Sequence, residues 1–353
     1  MPFQPQLEKK DNAKSFSMKF YRNSQWSYTV SKRWNRGGSR SSSTSRINLG
    51  VPQGSILGPF LFILYLNDIC RCTDAGVQIL FADDATHYDS DYDYRVLLDR
   101  VNRNLEHISK WLIANKLSIN IIKTEAVLHS RRNIYFPLPP VKMNNIEISY
   151  NYSLKFLGIL LDFKLNWKCH LKHIQTKLSK ACGIFYNIRN KINIYIAKII
   201  YYAIVHPYIT YCVTAWSSCN VTHRLHLFKT QKRILRTICR TRRDAPSSPL
   251  FANLKILKID DILKVGNACF VFKSINNLID SPVRFNYQLN GPYNLRRNGI
   301  FNLEVPYARS SQSQRFIHIY GSNLWNNIPL DIRTSRTLLA FKNKLEKYYI
   351  TMY

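Results

Sequence analysis

The chain has 353 residues, with 51 Lys and Arg against 21 Asp and Glu and a formal charge of +30. Hydrophobic residues make up 46% and aromatic residues 13%, which excludes a disordered basic tail, a class poor in both. Only 12 glycines and 14 prolines are present, which excludes collagen-like and linker composition. The length allows one or two substantial cores. A folded body with this charge calls for a polyanionic partner, and nucleic acid is expected ahead of a membrane surface. The eight cysteines, at 70, 72, 169, 182, 212, 219, 239 and 269, lack zinc-site spacing. The first fifty residues are mostly polar and basic, so no secretory leader is expected, and the cysteines read as reduced, mostly buried thiols of an intracellular protein. No apolar run reaches the ~18 residues of a membrane span, and no membrane partner is expected.

In chain order, residues 1–46 read as a basic, disordered segment that includes the flexible stretch Gly37–Ser45. Patterning begins near Ile47. Gly58-Pro59 suits the first turn of a helix running to Leu66, and its apolar residues lie on all sides, which predicts burial in the core. Val77–Phe81 reads as a strand, Ala82–Ala85 as a tight turn and Thr86–Tyr88 as a second strand. Val96, Leu97, Val101, Leu105, Ile108 and Leu112 have helical spacing within 92–115. Ala126–His129 reads as a strand, and 141–148 as a hairpin turning at Asn144-Asn145, two residues that tolerate positive φ. Phe156–Leu161 reads as one further strand. After Trp167 the period lengthens to about 3.6, with Leu171, Ile174, Leu178, Ala181, Phe185 and Ile188 on one stripe and Lys168, Lys172, Lys180 and Arg189 away from it. Helices are expected over 193–215 and 221–243, and a last one from an N-cap at Ser335 to about Tyr349. No internal repeat is present. Four segments result: 1–46, a mixed α/β part over 47–165, a basic helical part over 166–245, and a tail over 246–353.

Two features carry chemistry. Asp83-Asp84, adjacent carboxylates on a hairpin turn, form a hard-oxygen site suited to Mg²⁺ or Mn²⁺. Lys229, Arg233, Arg236, Arg240 and Arg243 are spaced 4, 3, 4 and 3 apart, so they share one helix face, with Leu227, Ile234, Leu235 and Ile238 toward the other. Five cations so placed can track a phosphate backbone. The alternative for each is an ordinary solvated turn and a solvated helix face. Tyr201, Tyr202, Tyr208, Tyr211 and Trp216 are expected to pack in the core. The histidines, including His170 and His173, show no partners that would make a metal site.

Asn48–Asp68, with its Gly50-Val-Pro-Gln-Gly-Ser55 run, is followed in order by Phe81-Ala-Asp-Asp-Ala85, Lys116–Thr124 and Lys155-Phe-Leu-Gly-Ile159. This order resembles the reverse transcriptase domain of a non-LTR (LINE-like) retrotransposon, from its palm through thumb and tail. Tyr201–Tyr211 and Gly321–Pro329 resemble the later parts of such elements. The resemblance implies an α+β fold: an incomplete right-hand polymerase palm, then a helical thumb and an α-rich C-terminal tail. It implies RNA-directed DNA synthesis with an RNA template, a DNA primer and deoxynucleotides, in the nucleus if chromosomal DNA is the target and in the cytoplasm otherwise. By the same resemblance Pro52, Gln53 and Gly54 border template and nucleotide, Asp83 binds metal with Asp84 beside it, Lys123 faces the nucleotide phosphates, and Phe156, Leu157 and Gly158 form the primer grip.

One departure stands out. The family carries a further metal-binding aspartate well before the Pro-Gln-Gly loop, whereas the only acidic residues before Gly50 here are Glu8 and Asp11, in a charged stretch. The fingers and the first palm strand are therefore expected to be missing or supplied by another segment or chain. Two readings stay open: a truncated reverse transcriptase of weak or no activity, and a non-catalytic nucleic-acid-binding remnant.

Overall fold

A computed structural model describes residues 14–22 (as backbone), 56–82, 84–117, 119–130, 137–288, 302–311 and 313–353. It divides into two compact units, residues 1–165 and 166–353.

The first unit is built on a four-stranded antiparallel sheet. Its strands are β1 (Lys14–Arg22), β2 (Val77–Phe81), β3 (Asp84–Asp91) and β4 (Ile119–His129), in the order β2-β3-β1-β4. The strand β1 lies between β3 and β4, with Phe20 opposite Ala85 and Ser15 opposite His129. This corrects the expectation of disorder through residue 46. A nine-residue run of alternating character, KSFSMKFYR, completes the ladder hydrogen bonds of two flanking strands, a long-range gain that composition does not display.

Helix α1 (Leu57–Leu66) overturns a second expectation. Only Gly58 and Leu66 are buried, while Phe60, Ile63 and Leu64 are more than half exposed. An all-round apolar helix favours burial, but burial needs a covering partner, and none stands over these side chains among the described residues. Helix α2 (Tyr94–Ala114) matches its pattern. Asp93 caps it by accepting from the Arg95 N–H at 2.8 Å, and Leu97, Val101, Leu105, Ile108 and Leu112 are buried against Ala126 and Leu128 of β4. Val96 points out to solvent instead. Strands β5 (Val141–Met143) and β6 (Ile146–Ile148) turn at Asn144 and Asn145, both left-handed at φ 51° and 62°, and close this core with Val141, Met143 and Ile148.

The stretch read as one strand is two. β7 (Ser153–Phe156) and β8 (Ile159–Asp162) form a hairpin with Phe156 opposite Ile159. The two residues between them, Leu157 and Gly158, both have positive φ, 43° and 90°. Gly158 supplies the conformation at no steric cost, and the right-handed strand twist favours such a turn over a continuous strand.

The second unit is helical: α3 (Lys168–Ile188), α4 (Ile194–Ile204), α5 (His206–Thr210), α6 (Val213–Trp216), α7 (Val221–Ile238), α8 (Ser248–Leu254), α9 (Ile259–Ile275), α10 (Ile317–Asn326), α11 (Leu330–Arg333) and α12 (Leu338–Ile350). The single helix expected over 193–215 is broken twice. Pro207 cannot donate a helical hydrogen bond and starts α5 at its first turn, and Cys212 adopts a left-handed φ of 48° before α6. The helix expected to reach 243 stops at Ile238, before Arg240 turns left-handed at φ 55°. The last helix is capped by Thr337, which accepts from the Ala340 N–H, and not by Ser335. The expected boundary near 245 separates no cores. Leu178, Phe185, Leu227 and Ile234 before it pack in one cluster with Phe251, Ile262, Phe272, Trp325 and Phe341 beyond it. Of the aromatic residues placed in this core, Tyr201 and Trp216 are fully buried, whereas Tyr202, Tyr208 and Tyr211 are exposed by 40% or more.

A buried amide ties the cluster together. Gln231 donates to the Tyr201 hydroxyl and to the Leu257 carbonyl, both at 2.9 Å, and accepts from the Ile259 N–H at 3.1 Å. Gln231→Leu keeps the volume but strands the Leu257 and Ile259 backbone groups without partners. A loss of about 2–4 kcal/mol in unfolding free energy is expected, read from urea denaturation. An unchanged midpoint would show the amide to be dispensable.

Two imidazoles, His170 buried and His206 half-buried, set a pH dependence. His170 lies between Trp167 and Trp216, and His206 beside Tyr202. Burial pushes both down to about 4, with His173 adding to the first effect and Lys342 to the second. The unfolded chain takes up these protons near pH 6.5 and the folded chain only near 4, so stability falls as pH drops through that window. At ~1.4 kcal/mol per pK unit the pair accounts for a few kcal/mol. The thermal midpoint should hold above pH 7 and decline from pH 6.5 to 4.5, and a flat midpoint there contradicts the assignment.

Candidate functional site

In the first unit, Phe81 pairs with Asp84, which leaves two positions between β2 and β3. Ala82 is left-handed at φ 50°, and Asp84 is half-buried at the start of β3. Asp83 lies outside the described residues, as do Pro52, Gln53 and Gly54, the residues expected to border template and nucleotide. Lys123 is an exposed residue of β4, the edge strand. It lies where the β1–β4 register shifts, and its N–H donates to the Asn120 side chain at 3.2 Å. Ala85 and the register shift both face the Phe20 region of β1, so Asp84 and Lys123 belong to the same end of the sheet. Two strand spacings, roughly 10 Å, separate their strands. Phe156, Leu157 and Gly158 occupy the β7–β8 turn.

The described residues do not assemble a divalent-metal cage. Among them no group of three His, Cys, Asp or Glu side chains converges, and β1, which fills the centre of the sheet beside β3, contains no acidic residue. Asp84 alone does not fit Mg²⁺ or Mn²⁺, which need several oxygen ligands. The acidic stretch Asp89–Asp93 is committed elsewhere. Arg100 donates to Asp89 at 2.7 and 3.0 Å and to Asp91 at 2.9 Å, clamping α2 to β3. The Asp93 N–H and Arg100 together hold the Asp91 carboxyl below its usual range.

The second unit carries the basic feature. Helices α3 and α7 pack side by side, and a cleft of about 1030 Å³ runs along them. All five residues of the stripe, Lys229, Arg233, Arg236, Arg240 and Arg243, line it, facing Cys182, Gly183, Tyr186, Asn187, Arg189 and Asn190. Residues 166–245 contain 15 Lys and Arg against one acidic residue, Asp244. None of the five pairs with a carboxylate among the described residues. The five are not equivalent. Arg236 donates to the Ala245 carbonyl at 3.0 and 2.7 Å, and Arg240 donates to the Arg189 carbonyl at 3.0 and 2.7 Å and to that of Ile192 at 3.2 Å. Two members of the stripe thus brace the ends of α3 and α7. Arg233 makes a bond to the Cys182 sulfur at 3.0 Å, and Lys229 and Arg243 extend into the cleft unbraced.

The opposite wall holds residues that the charge pattern alone did not single out. The Arg189 guanidinium lies 4.0 Å from the centre of the exposed Tyr186 ring, a flat cationic platform on which a base can stack. Gly183 sits mid-helix at the cleft, with nothing within 4 Å of where a Cβ would stand. Packing does not require this glycine, and it costs the helix up to ~1 kcal/mol relative to Ala. The signal was present as a glycine interrupting a strong helical period.

Residues 4–161 match the family described as reverse transcriptase (RNA-dependent DNA polymerase). This segment belongs to the reverse transcriptase family. The match starts well upstream of Ile47, where the regular patterning begins, and takes in β1. The chain is 26% identical over 234 residues to the RNA-directed DNA polymerase from mobile element jockey of Drosophila funebris, covering 63% of this chain and 25% of that protein. It is 27% identical over 233 residues to the probable RNA-directed DNA polymerase from transposon X-element of Drosophila melanogaster, covering 62% and 25%. A polyprotein of the type-1 retrotransposable element R1 from Bradysia coprophila is 26% identical over 147 residues, covering 41% and 15%. The chain thus spans about a quarter of the length of the jockey and X-element proteins. No solved structure matches it. Within the reverse transcriptase segment lie the β2–β3 hairpin, β1, α2, β4 and the β7–β8 turn. The basic cleft lies C-terminal to it.

Proposed function

We propose that this chain is the later part of an RNA-directed DNA polymerase of a non-LTR retrotransposon, and that its own contribution is to hold an RNA template and DNA primer. The observation that carries this reading is the α3/α7 cleft, a cationic groove free of described carboxylates, attached in sequence to a reverse transcriptase segment. In this reading the sheet, its β2–β3 hairpin and α2 are a palm, α3 to α7 act as a thumb, and Leu157-Gly158 meet the primer end. Residues 166–353 then form thumb and tail around one core. Asp83, Asp84 and Lys123 would face deoxynucleotide phosphates, and Pro52, Gln53 and Gly54 the template. Reverse transcriptases work with divalent metal, and a full cage would draw a carboxylate from a further segment or partner chain. A nuclear location follows if the primer is chromosomal DNA. The second reading, a binding remnant without catalysis, is favoured by β1, which sits beside the Asp84 strand and carries no carboxylate.

Gly183 tests the reading by opposite signs. Gly183→Ala should raise unfolding free energy by up to ~1 kcal/mol through helix propensity. It should also weaken binding to a labelled RNA–DNA hybrid with a recessed 3′ end, measured by fluorescence anisotropy, because a methyl group then stands on the cleft floor. A variant that is stabilised and binds as well as the parent removes the cleft from the binding surface, and no binding by the parent at low salt removes the function itself.

A further inference from the structure

A second cavity adjoins the basic cleft and has a different character. It measures about 350 Å³ and lies where the end of α3, the start of α4 and the end of α7 meet. Phe185, Ile192, Ile194, Ala197, Ile238 and Cys239 make its walls mostly apolar. Arg189 and Arg240 line both this pocket and the cleft. Both guanidiniums are held in place: Arg240 by the carbonyls of Arg189 and Ile192, and Arg189 over the Tyr186 ring. The pocket thus opens beside two fixed positive charges that also belong to the wall of the groove.

We propose that this pocket receives one unpaired base of a strand whose sugar–phosphate backbone runs in the α3/α7 cleft. The inference rests on the reading of that cleft as a nucleic-acid groove. A base is a flat, largely apolar ring joined to an anion by a short linker, and the site offers the matching order: apolar cavity, fixed cations, cationic groove. The volume is near the lower end of the ~300–1,000 Å³ span of small-ligand clefts, which suits a single ring system and leaves no room for a stacked pair. A free apolar side chain would fill the cavity but would leave Arg189 and Arg240 without an anionic partner. Extracting a base from a duplex costs pairing and stacking, so the pocket selects single strands, frayed ends and bulges over uniform duplex.

The test uses the whole chain and two octanucleotide probes of equal charge, a uridylate octamer and the same octamer made of abasic residues. The uridylate strand should bind about tenfold more tightly, the scale of one base seated on an apolar or aromatic surface. Both should show the same salt slope, because their phosphates are the same. Ala197→Leu, which fills the pocket, should remove the tenfold difference and leave abasic binding unchanged. A 4-thiouridine version should photo-crosslink to the peptides holding Phe185, Ile192–Ala197 or Ile238–Cys239. If Ala197→Leu does not fold, the parent's probe comparison and the crosslink map still decide. Equal affinity of the parent for both strands, or adducts confined to Tyr186 and the outer cleft, overturns the pocket alone. Failure of both probes to bind overturns the groove itself.

Discussion

Replacing Lys229, Arg233 and Arg243 together by Gln flattens the log–log salt dependence of single-strand binding by about 2 units while the fold stays intact. Each phosphate neutralised releases condensed counterions, and each such contact on a single strand adds about −0.7 to the slope. These three residues are exposed and line the cleft, and none holds a backbone carbonyl of a neighbouring loop. Gln has nearly the helix propensity of Arg, so unfolding is not the expected route of the loss. Arg236→Gln and Arg240→Gln behave differently. Each strands carbonyls that the guanidinium now satisfies, at Ala245 for the first and at Arg189 and Ile192 for the second. Arg236→Gln should cost about 1–3 kcal/mol of stability, and Arg240→Gln about 0.5–1.5 kcal/mol because water reaches its more exposed carbonyls, each in addition to any loss of binding. An unchanged slope in the triple variant, with circular dichroism intact, returns the stripe to an ordinary solvated helix face.

Primer extension by this chain on an RNA template should stay at trace level in Mg²⁺ or Mn²⁺. Metal ions stabilise both the attacking and the leaving oxygen of phosphoryl transfer, and removing one such electrostatic element costs about 10²–10³-fold in rate. The strand β1 beside β3 carries no carboxylate, and among the described residues no group of three His, Cys, Asp or Glu side chains converges that could hold a metal ion. Fusing on a segment that supplies the further aspartate of the family pattern should restore extension, and Asp83→Ala in that fusion should abolish it again. Vigorous synthesis by the 353-residue chain itself, sensitive to Asp83→Ala, would overturn the expectation and point to another residue as the missing ligand.

The parts legible in the sequence are those governed by near neighbours. The apolar spacing of α2, α3 and α7 places Leu105, Leu178 and Ile234 on buried faces because helical geometry repeats every 3.6 residues whatever lies beyond. Asn144-Asn145 declares its turn because few side chains tolerate two successive positive φ values. The order of the motifs from Gly50 to Ile159 pointed to the reverse transcriptase family, which the match over 4–161 shows. Charge arithmetic and the 4-3-4-3 spacing picked out five cations that line one cleft, although α7 ends at Ile238 and Arg240 and Arg243 lie beyond it.

Other features depended on partners distant in the chain. The pairing of β1 with β3 and β4 joins residue 20 to residue 85 and residue 15 to residue 129. The same holds for Gln231, whose apolar surroundings and three hydrogen bonds come from Tyr201, Leu257 and Ile259. Helix α1 shows the converse: apolarity states what a helix would gain from burial, but whether anything covers it is settled by the rest of the fold. Within the cationic stripe, the pattern makes Lys229 and Arg240 equivalent, and only packing separates them. Arg240 meets the Arg189 carbonyl, 51 residues away, because α3 ends beside α7. Local sequence restricts φ, ψ and the face a residue occupies, whereas the identity of its partner depends on which distant segments the folded chain brings within hydrogen-bonding range.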